Sequence, residues 1–202
     1  MAASVTVIDY QAGNITSVAK ALRACGADVR ITSDAKDLRS ASHIVLPGVG
    51  HFSATGQLYA SGMANALRER VSAGIPFLGI CVGLQWLFEG STESPETSGL
   101  GVFAGLCDRF PPTVKSPHVG WNSFARPRAS RLLGNLPDPC FVYFTHSYSA
   151  PVVEDATAVT SYGHDFTAAV ERDNWMAVQF HPEKSGETGL QVLRNFLEVP
   201  GC

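Results

Sequence analysis

The sequence lacks a surplus of charge of either sign. Its 202 residues contain 15 Lys and Arg residues against 18 Asp and Glu residues, a formal net charge of -3. Proteins that bind the phosphate backbone of nucleic acids usually carry a clear excess of basic side chains. We therefore expect no nucleic acid partner.

Long hydrophobic runs are also missing. The longest apolar stretch, residues 73–88, contains Pro76 and Gln85 and is too short and too polar for a membrane span. The first residues, Met-Ala-Ala-Ser-Val-Thr-Val-Ile-Asp, have no basic segment typical of a signal peptide and run directly into a strand pattern. We expect a cytoplasmic protein without membrane association.

Cysteine is scarce. The chain has five cysteines, an odd number, without a Cys-x-x-Cys pair, which argues against a disulfide framework and against a zinc ribbon. His43, His51 and His164 show no metal-ligand spacing, and no Walker loop is present. We expect neither metal nor cofactor. Only Cys81 has neighbours that explain why a thiol is present.

The hydrophobic patterning predicts an α/β fold. Strand-like stretches in the first half are residues 5–8, 29–32, 44–46 and 77–80, and helix-like stretches are 15–25 and 63–73. This alternation favours a mixed, mostly parallel sheet flanked by helices. Short strand patterns in the second half are residues 106–110, 121–124, 141–144, 158–162, 168–172 and 177–180, before a final helix at 188–197. The second half is therefore expected to be β-rich, within one domain of residues 1–202.

The segment around Cys81 predicts an exposed nucleophile. An apolar strand pattern ends in Gly79-Ile80-Cys81-Val82-Gly83 and is followed at once by a helical pattern. A nucleophile on a sharp strand-to-helix turn is presented at the carboxyl edge of the sheet, and the helix N-terminus favours a thiolate. The two glycines suit a turn that leaves little space for a Cβ atom. The pentapeptide alone also fits a buried cysteine.

A histidine and a carboxylate occur together later in the chain. In an extended segment, residues two apart project to the same side, so His181 and Glu183 are expected to face each other. Glu183 would orient the imidazole and stabilise its protonated form, as the third member of a catalytic triad does. With Cys81, the pair predicts a Cys-His-Glu triad.

An acyl transfer reaction also needs donors for the developing oxyanion. The backbone N–H of Val82 follows the nucleophile, and the loop Pro47-Gly48-Val49-Gly50 follows an apolar strand. These glycines alone would also fit an ordinary turn.

Together these motifs resemble those of class I glutamine amidotransferases, the triad-type family with a flavodoxin-like core. The motifs are Pro47-Gly48-Val49-Gly50, Gly79-Ile80-Cys81-Val82-Gly83-Leu84-Gln85 and Gln179-Phe180-His181-Pro182-Glu183. Within the family, the chain looks most like the glutaminase subunits of imidazole glycerol phosphate synthases from histidine biosynthesis. The narrower resemblance rests on Ile8-Asp9-Tyr10 with Gly13-Asn14, Pro117-His118-Val119-Gly120-Trp121-Asn122, Tyr143-Phe144-Thr145-His146-Ser147-Tyr148 and His181-Pro182-Glu183-Lys184-Ser185. Gln11 stands where the family usually has glycine.

The resemblance implies that Cys81 attacks the side-chain amide of glutamine. His181 would protonate the departing ammonia, and water would hydrolyse the glutamyl thioester to glutamate. The residues implied in glutamine binding and the oxyanion site are Val49, Gly50, Val82, Gln85, Glu93, Ser147 and Tyr148. Glu93 would face the α-ammonium group, although it also fits a solvated residue of the polar loop 90–99.

The sequence contains no plausible acceptor site for ammonia, which bulk water would protonate. The resemblance implies a heterodimer with a (β/α)8-barrel cyclase, which would use the ammonia to make imidazole glycerol phosphate and aminoimidazole carboxamide ribotide. The residues implied at that interface are Tyr10, Asn14, His118, Trp121, Asn122, Tyr143 and Lys184. Each of them also fits ordinary packing or an ordinary surface position.

Two alternatives stay open. The chain also fits a glutaminase subunit of another synthase of the same fold, such as those serving pyridoxal phosphate synthase or anthranilate synthase. A catalytically silent regulatory subunit would keep the fold and bind a partner without chemistry, although all three triad residues are present.

Overall fold

The structure is a computed structural model that describes residues 3–12 and 14–201. Gly13, part of one predicted motif, lies outside the described residues. The chain opens with strand β1 (Ser4–Ile8), helix α1 (Ile15–Ala24) and strand β2 (Asp28–Thr32). This β-α-β opening agrees with the sequence prediction, because the β-branched residues of β1 are buried and α1 turns one apolar face inward.

The other predicted strands and helices occur in the predicted order. The other strands are β3 (His43–Gly48), β4 (Phe77–Cys81), β5 (Gly90–Ser91), β6 (Leu106–Arg109), β7 (His118–Ser123), β8 (Phe141–His146), β9 (Tyr148–Ser149), β10 (Ala156–Tyr162), β11 (His164–Arg172) and β12 (Trp175–Val178). The other α-helices are α2 (Gly56–Ala60), α3 (Met63–Ser72), α4 (Val82–Trp86) and α5 (Gly186–Glu198). Short 3₁₀ helices occupy Ala35–Ser40, Phe52–Thr55 and Pro182–Lys184. β5, β9, α2 and the 3₁₀ helices are additional to the predicted elements.

Seven strands form one central sheet in the order β10-β11-β12-β4-β3-β1-β2. The pairs from β12 through β4, β3 and β1 to β2 are parallel, whereas β10, β11 and β12 pair antiparallel. The predicted mixed, mostly parallel sheet is therefore confirmed, and its antiparallel part comes from the β-rich second half.

The sheet brings the predicted motifs to one edge. β4 lies between β3 and β12, with Gly48 of β3 opposite Cys81 and Val178 of β12 opposite Ile80. Because all three strands are parallel, the segments that follow them leave the sheet at the same edge. In open α/β sheets this carboxyl edge is where ligands bind.

A separate antiparallel ribbon of β7 and β8 lies outside the central sheet. β7 begins at His118, three residues before the predicted strand. In β8 the burial alternates, with Val142, Phe144 and His146 facing inward. The ribbon thus has one inner face and one outer face.

One hydrophobic core joins the two halves of the chain. It includes residues of the opening strands and also Val192, Leu193 and Phe196 on the inner face of α5. The final helix runs slightly beyond the predicted 188–197 at both ends. In the part of the chain that the structure describes, no helix has the length and apolar character needed to cross a membrane.

Candidate active site

Cys81 lies on a strained turn between β4 and α4. Its backbone takes φ 55° and ψ -107°, a conformation that favours glycine. A Cβ atom on Gly83 would lie 2.2 Å from the carbonyl oxygen of Leu46, and one on Gly79 would lie 2.6 Å from that of Gly83. The predicted reason for the two glycines is confirmed, because backbone fills the space that a side chain would need.

The predicted helix follows Cys81 directly but is short. α4 contains the five residues Val82–Trp86. Because peptide dipoles add along a helix, a five-residue helix stabilises a thiolate at its N-terminus less than a longer helix would.

His181 and Glu183 form a buried pair immediately after β12. Nδ1 of His181 lies 2.8 Å from Oε1 of Glu183, and both side chains are 1% exposed. The predicted contact is present, but not through an extended segment, since residues 182–184 form a 3₁₀ turn. Burial lowers the pKa of His181, but the neighbouring Cys81 and Glu183 outweigh burial and raise that pKa above its usual value. Nε2 of His181 itself is buried and makes no hydrogen bond among the described residues. This arrangement favours an imidazolium beside Cys81 at neutral pH.

A cavity of about 430 Å³ contains Cys81 in its lining. Its size is in the range of small-ligand sites. All residues predicted for glutamine binding and the oxyanion site contribute to the lining: Val49, Gly50, Val82, Gln85, Glu93, Ser147 and Tyr148. Two residues predicted at the partner interface, Asn14 and Lys184, also contribute.

Two polar side chains of the cavity are held by backbone groups. Oε2 of Glu93 accepts a 2.7 Å hydrogen bond from the N–H of Phe52. Nε2 of Gln85 donates a 2.8 Å hydrogen bond to the carbonyl of Tyr148. Glu93 is therefore a fixed carboxylate of the cavity wall and not a solvated loop residue.

The other predicted interface residues are divided between the surface and the interior. Trp121 of β7 is 57% exposed and pairs across the ribbon with Tyr143 of β8, their ring centroids 6.1 Å apart. Nζ of Lys184 lies 5.8 Å from the centroid of the Tyr143 ring. Asn122 is partly buried, and its Nδ2 lies 3.3 Å from the carbonyl of Ser161.

Tyr10 and His118 do not lie on that surface. Tyr10 is 6% exposed, and its hydroxyl lies 2.7 Å from the point that a Cβ atom on Gly48 would occupy. Burial, followed by the charge of Cys81, raises the pKa of Tyr10 above its usual value. His118 is 4% exposed and stacks on Tyr162, and burial lowers its pKa to about 4. Both side chains are therefore buried within this chain, and their place at a partner interface stays a prediction.

Several residues of the site have no role predicted from the sequence. Pro117, Thr145 and His146 line the cavity, and each lies in a motif that carried the family resemblance. Gln179 contacts the nucleophile, since its Nε2 lies 3.6 Å from Sγ of Cys81. The sequence does contain an indication of this contact. Gln179 lies two residues before His181, and residues two apart in an extended segment face the same side.

The chain is similar to known proteins over almost its whole length. The sequence is 49% identical over 197 residues to the imidazole glycerol phosphate synthase subunit HisH of Methanothermobacter thermautotrophicus, covering 96% of this chain and 98% of that protein. It is 45% identical over 199 residues to the subunit of the same name from Caldanaerobacter subterraneus subsp. tengcongensis, covering 97% and 98%.

Solved structures support the fold independently of close sequence similarity. The PurLQS structure from Thermotoga maritima gives a TM-score of 0.76 at 19% identity, covering 98% of each chain. A glutamine amidotransferase crystal structure gives 0.75 at 20% identity, covering 96% of this chain and 97% of that one. The sequence profile described as "Glutamine amidotransferase class-I" matches residues 6–199. The chain therefore belongs to the class I glutamine amidotransferase family.

Proposed function

We propose that this protein hydrolyses glutamine to glutamate and ammonia as the glutaminase subunit of an imidazole glycerol phosphate synthase in histidine biosynthesis. The observation that carries the proposal is the buried His181–Glu183 pair, which follows the strand next to the one that ends at Cys81, together with a cavity of about 430 Å³ that Cys81 lines. A strained cysteine, a histidine and a carboxylate in this order are the parts that nucleophilic acyl transfer requires.

In the proposed reaction, the Cys81 thiolate attacks the side-chain amide carbon of glutamine and a C–S bond forms. His181, held as an imidazolium by Glu183, gives its proton to the departing nitrogen, so ammonia leaves and a glutamyl thioester remains. His181 then accepts a proton from the water that attacks the thioester. Cleavage of the C–S bond releases glutamate and restores the thiolate.

The cavity offers complementary groups for the substrate. The carboxylate of Glu93 suits the α-ammonium group of glutamine, and its hydrogen bond from Phe52 fixes its position. The backbone of Val82 and of Gly50 borders the same cavity and is suited to stabilise the oxyanion. Ser147 and Tyr148 complete the wall on the side of Gln85.

The proposed partner is a (β/α)8-barrel cyclase that consumes the ammonia. The relatives with 45–49% identity are named as subunits of imidazole glycerol phosphate synthase. The outer face of the β7–β8 ribbon supports a protein partner, since it exposes three large apolar side chains: Val119, Trp121 and Phe141. Asn14 and Lys184 lie at the cavity, and we place them with Tyr143 at this interface. Asn122 lies on the other face of β7, beside His118, so we place it only at the margin of the interface.

A glutaminase for another synthase is the second candidate. Its support is weaker, because the solved structures with other titles are only 19–20% identical to this chain. We propose one glutaminase domain for residues 1–202, and the cytoplasmic location stays a prediction.

The test is a glutaminase assay in complex with the cyclase subunit of an imidazole glycerol phosphate synthase, with and without its ribotide ligand. Cys81→Ser should lower turnover more than about 1,000-fold while the complex still assembles. Cys140→Ser is the matched control, because Cys140 is as buried as Cys81 but does not line the cavity.

Turnover that survives in Cys81→Ser would remove Cys81 from the mechanism. Assembly with the cyclase but no glutamine hydrolysis would favour the silent subunit. Stimulation by pyridoxal phosphate synthase or anthranilate synthase, and not by the cyclase, would favour the second candidate.

A further inference from the structure

Gln179 occupies a position beside the nucleophile that the triad does not use. It follows β12 directly and is 0% exposed. β12 pairs in parallel with β4, with Val178 opposite Ile80, so the next residue on each strand, Gln179 and Cys81, are neighbours. The backbone N–H of Gln179 donates to the carbonyl of Ala168, which fixes the residue to β11.

The side chain of Gln179 joins the sulfur to Gln85. Nε2 of Gln179 donates to Sγ of Cys81 at 3.6 Å, and Oε1 of Gln179 accepts from Nε2 of Gln85 at 3.2 Å. Nε2 of Gln85 also donates to the carbonyl of Tyr148 at 2.8 Å. These contacts form one buried network that ends at the nucleophile.

The chemistry of the network fixes its direction. A carbonyl oxygen can only accept, so the group of Gln85 that faces Tyr148 must be its NH₂ group. The same NH₂ group faces Gln179, which must therefore present its oxygen to Gln85. The NH₂ group of Gln179 is then left to point at the sulfur of Cys81.

We propose that Gln179 is a positioning residue that donates a hydrogen bond to the Cys81 thiolate and ties the nucleophile to Gln85. A donor directed at a charged group stabilises the charged form. Gln179 does not line the cavity, so it acts through Cys81 and Gln85 and not by touching glutamine. The inference rests on the proposed glutaminase function, and it also explains how the thiolate is supported beside a short helix α4.

The test follows the alkylation of Cys81 by iodoacetamide against pH, read by mass spectrometry of the peptide that contains Cys81, with the cyclase complex intact. Gln179→Met keeps the length of the side chain but removes the donor. Gln179→Glu keeps an oxygen toward Gln85 and removes the donor toward sulfur. In Gln179→Met the midpoint of alkylation should move up by about one pH unit, which is a tenfold lower thiolate fraction below the midpoint. In Gln179→Glu it should move up further, because the new carboxylate also repels the thiolate.

Glutamine turnover should show the same dependence. At neutral pH the kcat/KM of Gln179→Met for glutamine should be about tenfold lower than that of the wild type. The difference should become smaller as the pH rises, because the thiolate then forms without the hydrogen bond. Cys25, which is partly exposed and lies away from the cavity, provides the internal reference, and its alkylation profile should not move.

An unchanged alkylation midpoint at Cys81 in both variants, with turnover lost equally at every pH, would overturn the inference and leave Gln179 a packing residue. Alkylation does not depend on glutamine. A shifted midpoint in a chain that hydrolyses no glutamine would therefore keep the contact and refute the proposed function instead.

Discussion

The buried ring of His146 should make the stability of this protein sensitive to mild acid. Nδ1 of His146 faces the carbonyl of Tyr148 at 2.8 Å, and because that carbonyl only accepts, Nδ1 carries the proton. Nε2 is buried without a hydrogen-bond partner among the described residues, with the rings of Phe110 and Phe166 close by. Burial is the main reason that the pKa of His146 is lowered to about 3.

The size of the effect follows from proton linkage. Below about pH 6.5 an unfolded histidine takes up a proton, whereas folded His146 stays neutral down to a pKa of about 3. The unfolded state then binds more protons, so stability falls as the pH falls through this window. Each pH unit below about 6.5 lowers the free energy of unfolding by about 1.4 kcal/mol. Because pH 5 lies roughly 1.5 units below 6.5, the loss at pH 5 is about 2 kcal/mol.

The measurement compares urea unfolding of the wild type and His146→Asn at pH 7.5 and pH 5. Asn keeps an N–H donor for the Tyr148 carbonyl but does not titrate. His181 has a raised pKa, so its contribution to stability is fully present below pH 6.5 and is lost as the pH rises through that pKa. This opposite dependence is common to both proteins and cancels in the comparison.

Between pH 7.5 and pH 5 the free energy of unfolding of the wild type should therefore fall by about 2 kcal/mol more than that of His146→Asn. Equal losses, within about 0.5 kcal/mol, would mean that His146 is charged or solvated in the folded protein. The reasoning from its burial would then be refuted.

Three further substitutions follow from the structure. Gly83→Ala should destabilise the protein by more than about 2 kcal/mol in thermal or urea unfolding, because its Cβ would lie 2.2 Å from the carbonyl oxygen of Leu46. Gln11→Gly should raise stability by about 0.5 kcal/mol, because Gln11 has a φ of 65° that glycine adopts without strain. Glu183→Gln should lower kcat at least about 100-fold and lower the pKa of His181 in the pH profile, since the charge beside Nδ1 is lost.

Gly83→Ala has a matched control in the same chain. Gly134→Ala should be nearly neutral, since a Cβ there would meet nothing closer than 3.8 Å. Gly83→Ala and Gly134→Ala with equal melting temperatures would contradict the packing argument at the turn. A fall in stability for Gln11→Gly would show that the backbone of Gln11 is not strained. An unchanged pH profile for Glu183→Gln would show that Glu183 does not control the pKa of His181.

The parts of the fold that the sequence predicts well depend on short-range patterns. Buried parallel strands are apolar and short, and His181 and Glu183 are only two residues apart, so their contact requires little knowledge of the rest of the chain. Cys81 and the loop after β3 come together because neighbouring parallel strands end at one edge.

The burial of two residues implied at the partner interface depends on longer-range packing and on strand alternation. The resemblance implies one interface for His118 and Trp121, but residues three apart in a strand face opposite sides. Alternation alone would have separated the buried His118 from the exposed Trp121. The burial of Tyr10 against Gly48 has no such local signal, because it depends on the packing of β1 beside β3.

At Cys81 stability and activity have opposite requirements. Holding a non-glycine residue in such a conformation costs about 1–3 kcal/mol of stability, which the packing of the surrounding sheet must offset. Cys81→Gly should therefore unfold at a higher temperature than the wild type while hydrolysing no glutamine. If selection for glutamine hydrolysis were relaxed, stability alone would favour glycine here, so the cysteine persists only while its chemistry is needed.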